Sequence, residues 1–244
     1  MLMMTISRSL IPPALIVALF AGVLTPGCGG DRFGSELKAQ PAAFETSSVE
    51  GETIRLPQDR PFSITLTKGS EEPGLGGSAG AGAEADEQGR AGAQASVDSG
   101  GMAHALFQLG HAFTNATDRQ ADFEFTISFE HAYEVSATPE VRLPDASVGL
   151  NLYARAAGGR LLRDMTLIDY STLSGAARQT AKKTVAFSLV VGPNETVNVF
   201  LAGQSQVEVP AERSAEADLQ VTGLTYEVVT KPAPAVRKTG DASR

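Results

Sequence analysis

One cysteine, Cys28, stands in 244 residues. That excludes a disulfide framework and any cysteine-cluster zinc site within one chain. Tryptophan is absent and there are only four tyrosines, so the amphipathic rings that suit stacking on a sugar are scarce. Basic residues are in deficit. With 20 Lys+Arg against 28 Asp+Glu the formal net charge is −8, which argues against a general nucleic-acid binder, whose affinity comes from a basic, counterion-releasing surface. The apolar run Leu10 to Leu24 has 15 residues and contains Pro12 and Pro13, whereas a helix needs about 20 to span a bilayer. What is present is enough chain, 42% of it hydrophobic, for one domain with a real apolar core.

The first 27 residues have the parts of an export signal. Arg8 supplies the basic start, Leu10 to Leu24 the short apolar stretch, and Thr25-Pro26-Gly27 the small residues before Cys28. Leu24-Thr25-Pro26-Gly27-Cys28 resembles a bacterial lipobox, with Gly27 and Cys28 matching that pattern and Thr25 and Pro26 departing from it. The resemblance implies cleavage before Cys28, a lipid on Cys28 and attachment to a membrane through it. Gly29 rather than Asp follows Cys28, which by the same resemblance implies the outer membrane; without the lipid the expectation is a periplasmic or extracellular protein. Residues 28–44 are small, polar and aperiodic and read as a tether. Residues 231–244 carry Lys231, Arg237, Lys238 and Arg244 among prolines and read as a disordered basic tail.

The body, 45–230, is written in period two. Ala121, Phe123, Phe125, Ile127 and Phe129 alternate with Asp122, Glu124, Thr126 and Ser128. That pattern places the phenylalanines on one sheet face and acids on the other. The same alternation recurs from Val148, from Val185, from Val197 and from Ala217, with turn residues such as Gly192-Pro193-Asn194 between them. Phe62, Ile64 and Leu66 predict a short strand before Gly69, and Ser174 to Lys183 offers one or two helical turns. The fold class expected is all-β, an antiparallel sandwich.

Residues 69–101 admit two readings. Their glycines suit a flexible loop. Yet Ala79, Ala81, Ala83 and Ala85 alternate with smaller or polar residues, as do Ala91, Ala93, Ala95 and Val97, with Asp86 to Arg90 between them. That is a hairpin written in small residues, with Gly89 placed for a positive φ. It cannot stand alone, because a buried methyl contributes less than about 1 kcal/mol while ordering a residue costs about 1–2 kcal/mol. Strands paired to an existing sheet are the favoured reading, with Ala103, Ala105, Phe107 and Leu109 continuing that sheet. Alanine-rich alternating strands of this kind resemble those of secreted bacterial jelly-roll sandwiches.

Several constellations bear on chemistry. Gly76-Gly77-Ser78-Ala79-Gly80 matches the G-x-S-x-G form of a nucleophile elbow, which needs a strand before it and a helix after it; here alternating small residues follow. His104, His111 and His131 have no metal-ligand spacing, and His131 is expected to cap a strand end. Asp118, Asp122 and Glu124, with Glu130 and Glu134, form an acid-rich stretch with oxygen ligands suited to Ca²⁺, although no calcium loop motif is present; a solvated acid face is the simpler reading. Tyr153, on the outward register of its strand, is the fairest aromatic platform for a sugar. Asn115-Ala116-Thr117 and Asn194-Glu195-Thr196 match a glycan sequon and, in a bacterial exported protein, mean turn chemistry.

The sequence therefore predicts an exported cell-envelope lipoprotein acting as a non-catalytic structural or binding module. No catalytic residue, cofactor or nucleic-acid partner is expected, and an envelope protein or polysaccharide is the expected kind of partner. The alternatives are a calcium-dependent carbohydrate- or ligand-binding sandwich and, third, a hydrolase using Ser78.

Overall fold

The computed structural model describes residues 51–139 and 145–232. Cys28, the export signal, the tether and most of the basic tail lie outside the described residues. Eleven strands follow in order: β1 (Thr53–Leu56), β2 (Ile64–Pro73), β3 (Ser78–Ala85), β4 (Ala91–Asp98), β5 (Gly101–Thr114), β6 (Ala121–Thr138), β7 (Ala146–Ala156), β8 (Leu161–Ser171), β9 (Ala177–Val191), β10 (Thr196–Val209) and β11 (Ser214–Pro232). They form two antiparallel sheets. The six-stranded sheet runs β3-β4-β11-β6-β9, with β1 also on β11, and the five-stranded sheet runs β2-β5-β10-β7-β8.

The last eight strands explain the architecture. β4 pairs with β11, β5 with β10, β6 with β9 and β7 with β8. This is one long antiparallel hairpin wrapped into two layers, the jelly-roll arrangement. Paired partners switch sheets together, so successive strands alternate between the layers except at β7 and β8, which form the hairpin's tip within one sheet. β2 and β3 widen the sheets at one side, β2 on β5 and β3 on β4.

Alternation decides which side chains enter the space between the layers. From β6, Phe123, Phe125, Ile127 and Phe129 are all buried in the main core. Phe125 packs edge-on against Phe113 of β5 at 5.2 Å and stacks on Phe187 of β9 at 5.0 Å. Each buried phenylalanine contributes about 2 kcal/mol. In β11 the inward phase runs through Ala217, Leu219 and Val221 and then shifts to Leu224, Tyr226 and Val228. A bulge between Thr222 and Thr225 absorbs the odd step.

The glycine/alanine stretch forms the hairpin β3–β4. Gly89, at φ +91°, lies so close to Leu224 that a Cβ there would stand 2.6 Å from the Leu224 carbonyl oxygen. Small side chains bring the two layers together at this side. The Ser205 hydroxyl of β10 donates across the core to the Ala93 carbonyl of β4 at 2.7 Å.

Four expectations are corrected. Ser174 to Lys183 is not helical: a single 3₁₀ turn at Thr172–Ser174 precedes β9, whose alternating Gln179, Ala181 and Lys183 pair with β6. β2 is not short, because it runs through Gly69 to Pro73 along β5. Ala103 to Leu109 do not continue the sheet of the hairpin, since β5 lies in the opposite layer. His131 does not cap a strand end; it sits within β6, buried, with its ring 6.0 Å from Phe129.

Candidate functional site

The sequence-derived candidates do not converge. Ser78 is the first residue of β3, exposed, and stands opposite Asp98. A strand follows it where a nucleophile elbow requires a helix. His111 is buried beside Phe113, 5.0 Å between rings. Burial, and secondarily the charge of Arg60, depress its pKa from 6.5 to about 4. His131 is shifted the same way, first by burial and then by Lys183. His104 lies on the outward face of β5.

The acids of β6 belong to a ladder of ion pairs. Glu124 meets Lys231 at 2.7 Å, Glu130 meets Lys182 at 2.6 Å and Glu134 meets Arg178 at 3.7 Å. Asp118 lies in the loop before β6, 3.9 Å from Arg119, and Asp122 is near the start of β6. Among the described residues no three His, Cys, Asp or Glu group as metal ligands would.

Asn115 is a turn residue in full. Its Nδ2 donates to the carbonyls of Arg119, Val191 and Gly192 at 2.7, 3.0 and 2.9 Å. Its Oδ1 accepts from the Thr117 N–H and hydroxyl. Asn194 has φ +56° in the turn that Asn115 ties down. A depression of about 450 Å³ on the outward face of the six-stranded sheet is floored by Gly82 and Gly92 and walled by Glu84, Gln94, Asp218 and Gln220. Burial chiefly, then Glu134 and Glu84, raises the Asp218 pKa, while Gln220 opposes the shift.

The outward face of the five-stranded sheet is different in kind. Val197, Val199 and Leu201 of β10 point into the core, as do Leu150, Leu152 and Ala154 of β7. The residues between them therefore point out: Asn198, Phe200, Ala202 and Gln204 from β10, and Gly149, Asn151, Tyr153 and Arg155 from β7. Tyr153 and Phe200 pack at 5.6 Å in a second, small apolar cluster with Ile64 and Ala202. Tyr153 is fully buried, so it forms the base of this face and not the exposed platform its register suggested.

Around that base stand amide oxygens without partners. Asn151 and Asn198 are 6% and 8% exposed. The oxygens Asn151 Oδ1, Asn198 Oδ1 and Gln204 Oε1 are buried and accept no hydrogen bond. Such atoms each cost about 1–3 kcal/mol when left unmade, and native proteins retain few of them. From Asn198 to Gln204 is six residues along β10, a strip of about 20 Å at 3.4 Å per residue. Asn151 stands beside it, across from Ala202. Gly149 makes room for the strip: a Cβ there would fall 2.9 Å from Gln204 Nε2.

This strip is what sequence reasoning missed. Its members read as ordinary outward polar residues until the topology places β10 against β7.

No family model matches the chain, and no curated protein does. Among solved structures, similarity is low. The enzymatically active domain of bacteriophage CBA120 tailspike protein 4 aligns with TM-score 0.31 and 9% identity over 68% of this chain and 19% of that one. A chain of infectious bursal disease virus, Gx strain, aligns with TM-score 0.25 and 11% identity, over 76% of this chain and 38% of that one. This chain thus spans well under half of either. The xylan-binding module CBM15 aligns with TM-score 0.24 and 13% identity over 75% of this chain and 99% of that module.

Proposed function

We propose that this chain is an exported, lipid-anchored cell-envelope protein whose sandwich is a non-catalytic binding module for a polysaccharide. The observation that carries the binding half is the row of buried, unpartnered amide oxygens of Asn151, Asn198 and Gln204 on one sheet face. A polysaccharide suits it because a linear chain of hydroxyls supplies donors and acceptors repeatedly along such a strip. Rotating amides accept either role. Cys28, in its lipobox-like setting, carries the envelope half.

Affinity electrophoresis of the mature chain through gels containing different polysaccharides tests the binding half. Retardation by at least one polymer, relieved in Asn151→Ala and Gln204→Ala, supports the reading; free migration through all of them opposes it. Mass spectrometry of the mature N-terminus tests the anchor. A diacylglyceryl-modified Cys28 is expected, and an unmodified terminus downstream of Cys28 removes it.

A further inference from the structure

One end of the strip holds a cation that forms no ion pair among the described residues. Arg155 lies on the outward face of β7, and its guanidinium carbon is 5.3 Å from the centre of the Tyr153 ring. That stacking fixes the group in place. Its Nε is buried and has no hydrogen-bond partner, and none of the ion pairs among the described residues involves Arg155. Directly across on β10 stands Asn198, more than nine-tenths buried, with Oδ1 equally unpartnered. The cross-strand neighbour on the other side is Leu161, while Asp164 faces Tyr153 instead.

An immobilised, partly buried guanidinium without a counter-charge is costly. Its natural complement is a planar anion that accepts from the two terminal nitrogens of the guanidinium together. An asparagine amide opposite, free to turn its NH₂ toward the same anion, completes the set.

We propose that Arg155 and Asn198 form a carboxylate seat, so that the ligand is a uronate-bearing glycan. The inference rests on the polysaccharide reading and narrows it. The overall charge of −8 means that recognition is local to this seat and owes nothing to long-range attraction.

The test is isothermal titration of the mature chain with polygalacturonate, methyl-esterified polygalacturonate, a neutral xylan and dextran sulfate. The proposal expects polygalacturonate to bind about tenfold or more tightly than its ester. Arg155→Gln should abolish that preference while circular dichroism shows an unchanged fold. Asn198→Asp should place a carboxylate of the protein's own beside Arg155, and so lose polygalacturonate binding while raising Tm. Equal binding of acid and ester, binding of dextran sulfate as tight as that of polygalacturonate, or polygalacturonate affinity unmoved by both substitutions overturns the carboxylate seat and leaves the polysaccharide reading standing. Binding of none of the polymers overturns both.

Discussion

Arg213 and Asp145 form an ion pair through Nη2 and Oδ2, their side chains only 13% and 6% exposed. The same Arg213 nitrogen reaches the Pro139 carbonyl at 3.5 Å. One guanidinium at the start of the β10–β11 side thus clasps both ends of the connection from β6 to β7. Asp145 is held from the other side, where the Thr172 hydroxyl accepts from its N–H at 2.9 Å.

Removing one member of such a pair leaves the other buried and uncompensated, at a cost of about 3–5 kcal/mol. Arg213→Ala is therefore expected to lower the urea midpoint strongly. Arg213→Ala combined with Asp145→Ala should recover part of the loss, because no lone charge remains. Equal midpoints for wild type and Arg213→Ala would show that the pair does not hold the connection.

The Asn115 side chain serves three carbonyls from two different segments. Asn115→Ala strands these groups and should cost about 3 kcal/mol, measured by equilibrium unfolding. Asn115→Asp keeps the Oδ1 contact to Thr117 but loses the donors, so it should be nearly as damaging.

His111 gives an acid dependence whose sign follows from its depressed pKa. Between about 4 and 6.5 the unfolded chain binds the proton and the native chain does not. Its contribution is whole above pH 6.5 and is lost as pH falls toward 4, by up to about 3 kcal/mol. His131 shifts in the same direction. Urea titrations across that window should show a shallower slope in His111→Gln than in wild type; parallel curves would contradict the assignment.

Phe107 covers Gly203 so closely that a Cβ on Gly203 would fall 2.2 Å from the ring. Gly203→Ala should destabilise by about 1–3 kcal/mol. Adding Phe107→Leu should cost less in that background than in wild type, because the ring no longer has a glycine to lie on.

The layers were legible in the sequence because their inward faces alternate. Phe123 to Phe129 announce β6, whereas the bulge between Thr222 and Thr225 is visible only in the pairing of β11 with β6. The alanine hairpin was legible for the same reason. Ser174 to Lys183 misled because polar residues on an edge strand carry no inward signal on one side and little on the other. Tyr153 was placed on the correct face, but Phe200, its partner, lies 47 residues further along the chain, and only the β10–β7 pairing brings the two rings together. The amide strip stayed hidden for a related reason: an outward asparagine looks solvated until its neighbours, here Arg155 and Ala202, are known.

Hydrogen–deuterium exchange on the full mature chain, with and without the tightest-binding polysaccharide, tests the central claim most directly. The account predicts that new protection concentrates in β7 and β10, around Asn151 and between Asn198 and Gln204. Protection confined to β6 and β9, or to the depression at Gly82 and Asp218, would contradict it.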